Sequence, residues 1–257
     1  MINDIATSIT IMIVLLFSLK TMQKFSILSH LKLSATGINV SAIVGTPIHE
    51  LSHAALCVIG GHHITKISLF KPSKDGTLGF VEHSYNTGNI LIVAANLPIA
   101  LAPIAGGCMA ITGMNTWLLP DAELNELLRY ASQPEVLGIT SICRNAITTV
   151  IKIFDVLSTQ VTSGNLISVL LWIYLVGSIS LHMTPSSADF HNCRIGLTAT
   201  GAILSLFFLF IPNETASVLL YVLNIFISLL MTGNFVALLT LTVSLITTGI
   251  IHLIFNR

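Results

Sequence analysis

Seven apolar stretches follow one another along this chain, most of them close to the length needed to cross a lipid hydrocarbon layer, and they constrain the fold more than any other feature. Crossing takes about 20 mostly apolar residues. The stretches run from Ile5 to Met22, Ala35 to Gly60, Asn89 to Met114, Leu166 to Met183, Ile195 to Phe210, Thr215 to Met231 and Phe235 to Phe255. They predict an all-α membrane protein, a polytopic bundle of six or seven transmembrane helices that is integral to the bilayer. Composition agrees: 53% of the 257 residues are hydrophobic and 9% charged, against about 25% charged in soluble domains, and the mean hydropathy is +0.88. Lys plus Arg and Asp plus Glu balance at 11 each, so no basic field exists to attract nucleic acid. The first apolar run, from about Ile5 to Leu19, has Asp4 before it and Lys20 and Lys24 after it, the reverse of a secretory signal, and reads as a retained helix.

Between the second and third stretches the pattern changes. Ile64 to Phe70 and Thr77 to His83 approximate period two, with Ile67 and Leu69 on one arm and Leu78 and Phe80 on the other. The link from Pro72 to Gly76 carries turn chemistry, so a small β-hairpin is expected there. Asn115 to Gly164 holds the largest group of acidic residues and predicts one or two amphipathic helices outside the membrane. No repeat or linker divides the chain, which reads as one domain over residues 1–257, with a metal-site core at about 35–195 and extra C-terminal helices over 195–257. If the stretches alternate in direction, Lys20, Lys24, Lys32, Arg129, Arg144, Lys152 and Arg257 collect on one side, and Lys66, Lys71, Lys74 and Arg194 on the other. That is a weak lean by the positive-inside rule. Cys57, Cys108, Cys143 and Cys193 form no Cys-x-x-Cys pair and read as small apolar residues.

Inside the second stretch stands His49-Glu50-Leu51-Ser52-His53. On a helix, positions i and i+4 share a face, so both imidazoles can reach one ion. Glu50 projects beside them and can take a proton from water that the ion has made acidic, which is why this spacing is a hydrolase signature. The His and Glu content of the chain would produce about 0.007 such matches by chance. Ionisable groups at membrane depth are costly and mark functional sites. Just upstream, Gly45-Thr46-Pro47 predicts an interruption of the helix, with Thr46 as a cap and an opening for water.

A catalytic zinc usually has three protein ligands and one open position. The third must come from elsewhere in the chain. At the end of the fourth stretch the sequence reads His182-Met-Thr-Pro185-Ser-Ser-Ala-Asp189-Phe-His191. Asp189, alone among uncharged residues after a proline, is the first candidate; its alternative role is to cap the helix that follows. His182 and His191 are rivals, and His182 also suits a supporting role in orienting a ligand. Asn96, before Pro98, is a candidate donor to a developing oxyanion or a link between helices. His62, His63 and His83, near the hairpin, are expected to face solvent and are given no metal role.

These residues resemble the site-2 protease family of intramembrane zinc metalloproteases. The family combines His-Glu-x-x-His on one membrane helix with an Asp after a Pro-containing segment on a later one. His49, Glu50 and His53 match the first motif, and Asp189, four residues after Pro185, is similar in placement to the second. The family's second motif is Asn-x-x-Pro followed by Leu-Asp-Gly, whereas this chain has His182, Ala188 and Phe190 at the corresponding places. The resemblance also implies an interposed helix and a hairpin near the site, which Asn89 to Met114 and Ile64 to His83 match in position. It implies zinc as cofactor, a membrane-protein or transmembrane-peptide substrate, and Glu50 as the catalytic base. Two other readings remain: a zinc-binding membrane protein without peptidase activity, and an ion- or proton-coupled transporter.

Overall fold

The computed structural model describes residues 2–33, 35–73, 76–131 and 139–255. Lys74 and Asp75 of the expected hairpin link, and residues 132–138 of the expected amphipathic region, lie outside the described residues. The elements are α1 (Ile2–Leu33), α2 (Ala35–Ile59), β1 (His63–Ser68), β2 (Phe80–Ser84), α3 (Ile90–Ala94), α4 (Asn96–Leu118), a short 3-10 turn (Pro120–Ala122), α5 (Leu124–Ala131), α6 (Ile139–Thr162), α7 (Leu166–His182), α8 (Ser187–Phe210) and α9 (Pro212–Phe255). Five helical stretches among them are long and apolar enough to cross a membrane: Asn3–Ser29, Val40–Ile59, Ile90–Leu118, Ser187–Phe210 and Pro212–Ile251. Leu166–His182 is apolar but shorter. The molecule is thus a helical membrane fold with one small antiparallel sheet.

Two expectations need correction. The stretches from Thr215 to Met231 and from Phe235 to Phe255 are a single 44-residue helix, α9. Gly233 is the main helix-weakening residue between them, and a lone glycine costs a helix only about 1 kcal/mol. Asn234 supports the join, its Nδ2 donating to the Leu230 carbonyl at 2.8 Å and to Leu15 of α1 at 3.0 Å. Likewise, α2 runs through Gly45-Thr46-Pro47 without interruption. A proline inside a helix removes one amide donor, and here the surrounding packing holds the helix together.

α1 lies along α9, and α2 packs between α4 and α7. A buried apolar cluster runs through α4, α7 and α9, including Ile104, Ile111, Trp172, Ile179, Ile227 and Phe235. Trp172 is fixed within it by its indole N–H, which donates to Asn115 Oδ1 at 2.7 Å. α8 crosses the start of α4 at Gly196, so closely that a Cβ there would overlap the Leu97 backbone nitrogen.

At its C-terminal end α2 stops in a Schellman turn. Gly61, at φ +74°, adopts the left-handed conformation that this turn requires. The His62 amide donates back to the Cys57 carbonyl at 2.8 Å and the Gly61 amide to Val58 at 3.2 Å. The chain then enters β1, which pairs antiparallel with β2 in the register Ile64 to His83, Lys66 to Glu82 and Ser68 to Phe80, with an irregularity between Ile64 and Lys66. On β2 the alternation sets Val81 and His83, and Tyr85 beyond, against the body of the protein, with Glu82 and Ser84 outward.

Candidate metal centre

His49, Glu50 and His53 occupy the middle of α2, whose spanning part covers Val40–Ile59. Each histidine ring is oriented by a main-chain carbonyl that its own helix cannot satisfy. His53 Nδ1 donates to the Ile99 carbonyl of α4 at 2.8 Å. In a helix that carbonyl bonds to the amide four residues on, but the residue there is Pro103, which has none. His49 Nδ1 donates to the His182 carbonyl at 2.7 Å. His182 is the last residue of α7, so its carbonyl is one of the orphans of a helix C-terminus.

A carbonyl only accepts, so Nδ1 carries the proton in both rings and each Nε2 presents a lone pair. The two Nε2 atoms lie 3.1 Å apart. Asp189 joins them, with Oδ1 3.2 Å from His53 Nε2 and Oδ2 3.6 Å from His49 Nε2. Its position comes from a capping box: the Ser186 amide donates to Asp189 Oδ2 at 2.6 Å, and the Asp189 amide donates to Ser186 Oγ at 3.2 Å. The capping role and the place beside the two imidazoles therefore coincide in one residue. Two lone pairs and a carboxylate converging on one point repel unless a metal ion or a proton lies among them, and the donor atoms are all within 4.8 Å of one another. The set fits a metal ion, with each imidazole oriented through its other nitrogen, as is usual for histidine ligands.

Glu50 is 7% exposed and lines, with the three donors, a cleft of about 530 Å³. One wall is the hairpin segment Gly76 to Val81; the others come from α4 and from the α7 to α8 connection. Gly79 lies directly over the motif. A Cβ there would fall 2.9 Å from Glu50 Cγ, 2.8 Å from Thr46 Cγ2 and 2.8 Å from the Ser68 carbonyl.

The other expected residues are placed as follows. The His182 ring does not face the donor set; its Nε2 sits 3.1 Å from Ser41 Oγ, and the residue acts on His49 through its carbonyl. His191 is exposed on α8. Asn96 is 1% exposed, its Nδ2 donates to the Val93 carbonyl at 2.9 Å, and it does not line the cleft. Asn192, one turn beyond Asp189, does line it. The expectation that the hairpin histidines face solvent holds for His63 alone. His62 is 5% exposed and His83 half-buried, because the Schellman turn folds one inward and strand alternation the other. Burial, and then the neighbouring His62 and His53 rings, hold the His83 imidazole below the ordinary histidine range.

Together these features define a helical membrane protein with a His-His-Asp donor set and an adjoining carboxylate in a half-open cleft. Compared with protein-family models, with curated proteins and with solved structures, the chain matches none.

Proposed function

We propose that this protein is a zinc-dependent intramembrane endopeptidase that cleaves a membrane-spanning segment of a client protein. The observation that carries this reading is the convergence of His49, His53 and Asp189 on one point beside Glu50. Zinc held by three protein donors keeps one position open and supplies Lewis acidity, which makes water acidic near neutral pH and polarises a carbonyl. The chain's own groups do the rest. Glu50, at the wall of the cleft, accepts a proton from the attacking water and returns it to the amine as the C–N bond breaks. Asn192 is suited to donate to the developing oxyanion, whereas Asn96 does not line the cleft.

A helical substrate shields its carbonyls with its own hydrogen bonds, so cleavage requires an extended segment. The hairpin arm from Gly76 to Val81 borders the cleft and can pair with such a segment as an added strand. Close approach at Gly79 brings that arm to Glu50.

The test compares membranes from cells expressing wild-type protein or Glu50→Gln, by sequencing newly formed protein N-termini. New termini within apolar spans that appear only with the wild type support the reading. Their absence, with metal retained in both proteins, would leave a metal-binding membrane protein without peptidase activity.

A further inference from the structure

A second donor set lies at the other end of the same helix. Cys57 Sγ and ring nitrogens of His62 and His83 lie within 4.8 Å of one another. Cys57 is fully buried and His62 nearly so. Two features of the fold assemble the set. The Schellman turn at Gly61 returns His62 to Cys57, placing them at the two positions that in this motif ordinarily make an apolar contact. Here a thiol and an imidazole stand there instead. The hairpin register then delivers His83 from the second strand.

The imidazole geometry repeats that of the first site. His62 Nε2 donates to the Ile92 carbonyl at 2.9 Å, near the end of α3, which leaves Nδ1 as a lone pair. That lone pair faces His83 Nδ1 at 3.0 Å. The Tyr85 ring stacks on His62, centroids 4.6 Å apart and 21° from parallel, and holds its plane. A buried thiol beside two imidazoles, one of them oriented through its far nitrogen, is a ligand set for a borderline-soft divalent cation.

We propose that Cys57, His62 and His83 form a second Zn2+ site, separate from the His49, His53 and Asp189 set. Bound there, the ion ties β2 to the C-terminal end of α2 and so fixes the hairpin over Glu50. The ligand is the metal alone, and the site is independent of the peptidase reading.

The experiment measures zinc per chain by elemental analysis, and the absorption spectrum after cobalt replacement, on full-length protein in detergent. Wild type is expected to hold two zinc ions. Cys57→Ala and His83→Ala are each expected to hold one, as is His49→Ala, which loses the other. Cobalt protein is expected to show a near-ultraviolet thiolate-to-metal band in wild type and His49→Ala but not in Cys57→Ala. The cobalt arm in the wild type needs no substitution, so a variant that fails to fold does not hide the answer. One zinc in the wild type, unchanged by Cys57→Ala, with no thiolate band, overturns the second site and leaves the peptidase reading intact. One zinc lost on Cys57→Ala but kept in His49→Ala upholds the second site and removes the metal from the first. Two zinc ions both kept in Cys57→Ala also overturn the proposal.

Discussion

The Nε2 atoms of His49 and His53 face each other at 3.1 Å, while each ring's Nδ1 is committed to a main-chain carbonyl. Neither ring can turn its proton inward without giving up that bond, so the pair presents two lone pairs to whatever lies between. An arrangement of this kind calls for positive charge between the rings, from a metal ion or from a proton on one imidazole, and Asp189 supplies the matching negative charge.

Asp189→Asn isolates that charge. Asparagine retains an oxygen for the Ser186 amide, so the start of α8 is expected to persist. Metal affinity is expected to fall by at least the about 10–100-fold typical of losing a supporting group, as read by competition with a chromophoric chelator.

Ser186→Ala removes the other half of the capping box. Losing an N-cap side chain costs about 1 kcal/mol. It also loosens the first turn of α8, which carries Asp189, although the amide of residue 186 still holds the carboxylate, so thermal stability and metal affinity are expected to drop together, the latter about tenfold. A drop in stability with unchanged affinity would show that the cap does not position the ligand.

Pro103→Ala makes an unusual prediction because it repairs a helix. A new amide at position 103 competes with His53 Nδ1 for the Ile99 carbonyl. Metal affinity is expected to fall about tenfold while the protein becomes no less stable to heat. Equal affinity would mean that the free carbonyl does not orient His53.

Gly79→Val tests the hairpin's approach. Its Cβ would lie within 3 Å of Glu50 Cγ, Thr46 Cγ2 and the Ser68 carbonyl, so the arm must lift from the motif. Client processing is expected to fall at least tenfold, about 1.4 kcal/mol in the barrier, with zinc content unchanged. Processing at the wild-type rate would separate the hairpin from catalysis.

How much of this was legible in the sequence depends on how far apart the partners lie. The shared face of His49, Glu50 and His53 follows from helical spacing within five residues. Asp189 stands out because a lone carboxylate after Pro185 among uncharged residues needs a reason. His182 was legible only as a side chain, whereas its contribution is a carbonyl that matters because α7 ends there. The proline at 103 carried a readable signal, since a free carbonyl four residues earlier follows from it. Asn192 and Asn96 could not be ranked from sequence, because the choice turns on which helix face meets the cleft. Cys57, His62 and His83 were invisible as a set: their meeting needs a left-handed Gly61 and a strand register with an irregularity after Ile64. The two C-terminal stretches merged into α9 because only Thr232-Gly233-Asn234 separates them, without a proline, and Asn234 Nδ2 donates to the Leu230 and Leu15 carbonyls.

Zinc-edge X-ray absorption of purified Cys57→Ala protein reads the His49, His53 and Asp189 site alone. One zinc is expected, surrounded by nitrogen and oxygen at about 2.0–2.2 Å, with imidazole scattering, and it is expected to be lost when His49→Ala is added. Sulfur scattering at about 2.3 Å, no bound zinc, or a spectrum indifferent to His49 would contradict that site.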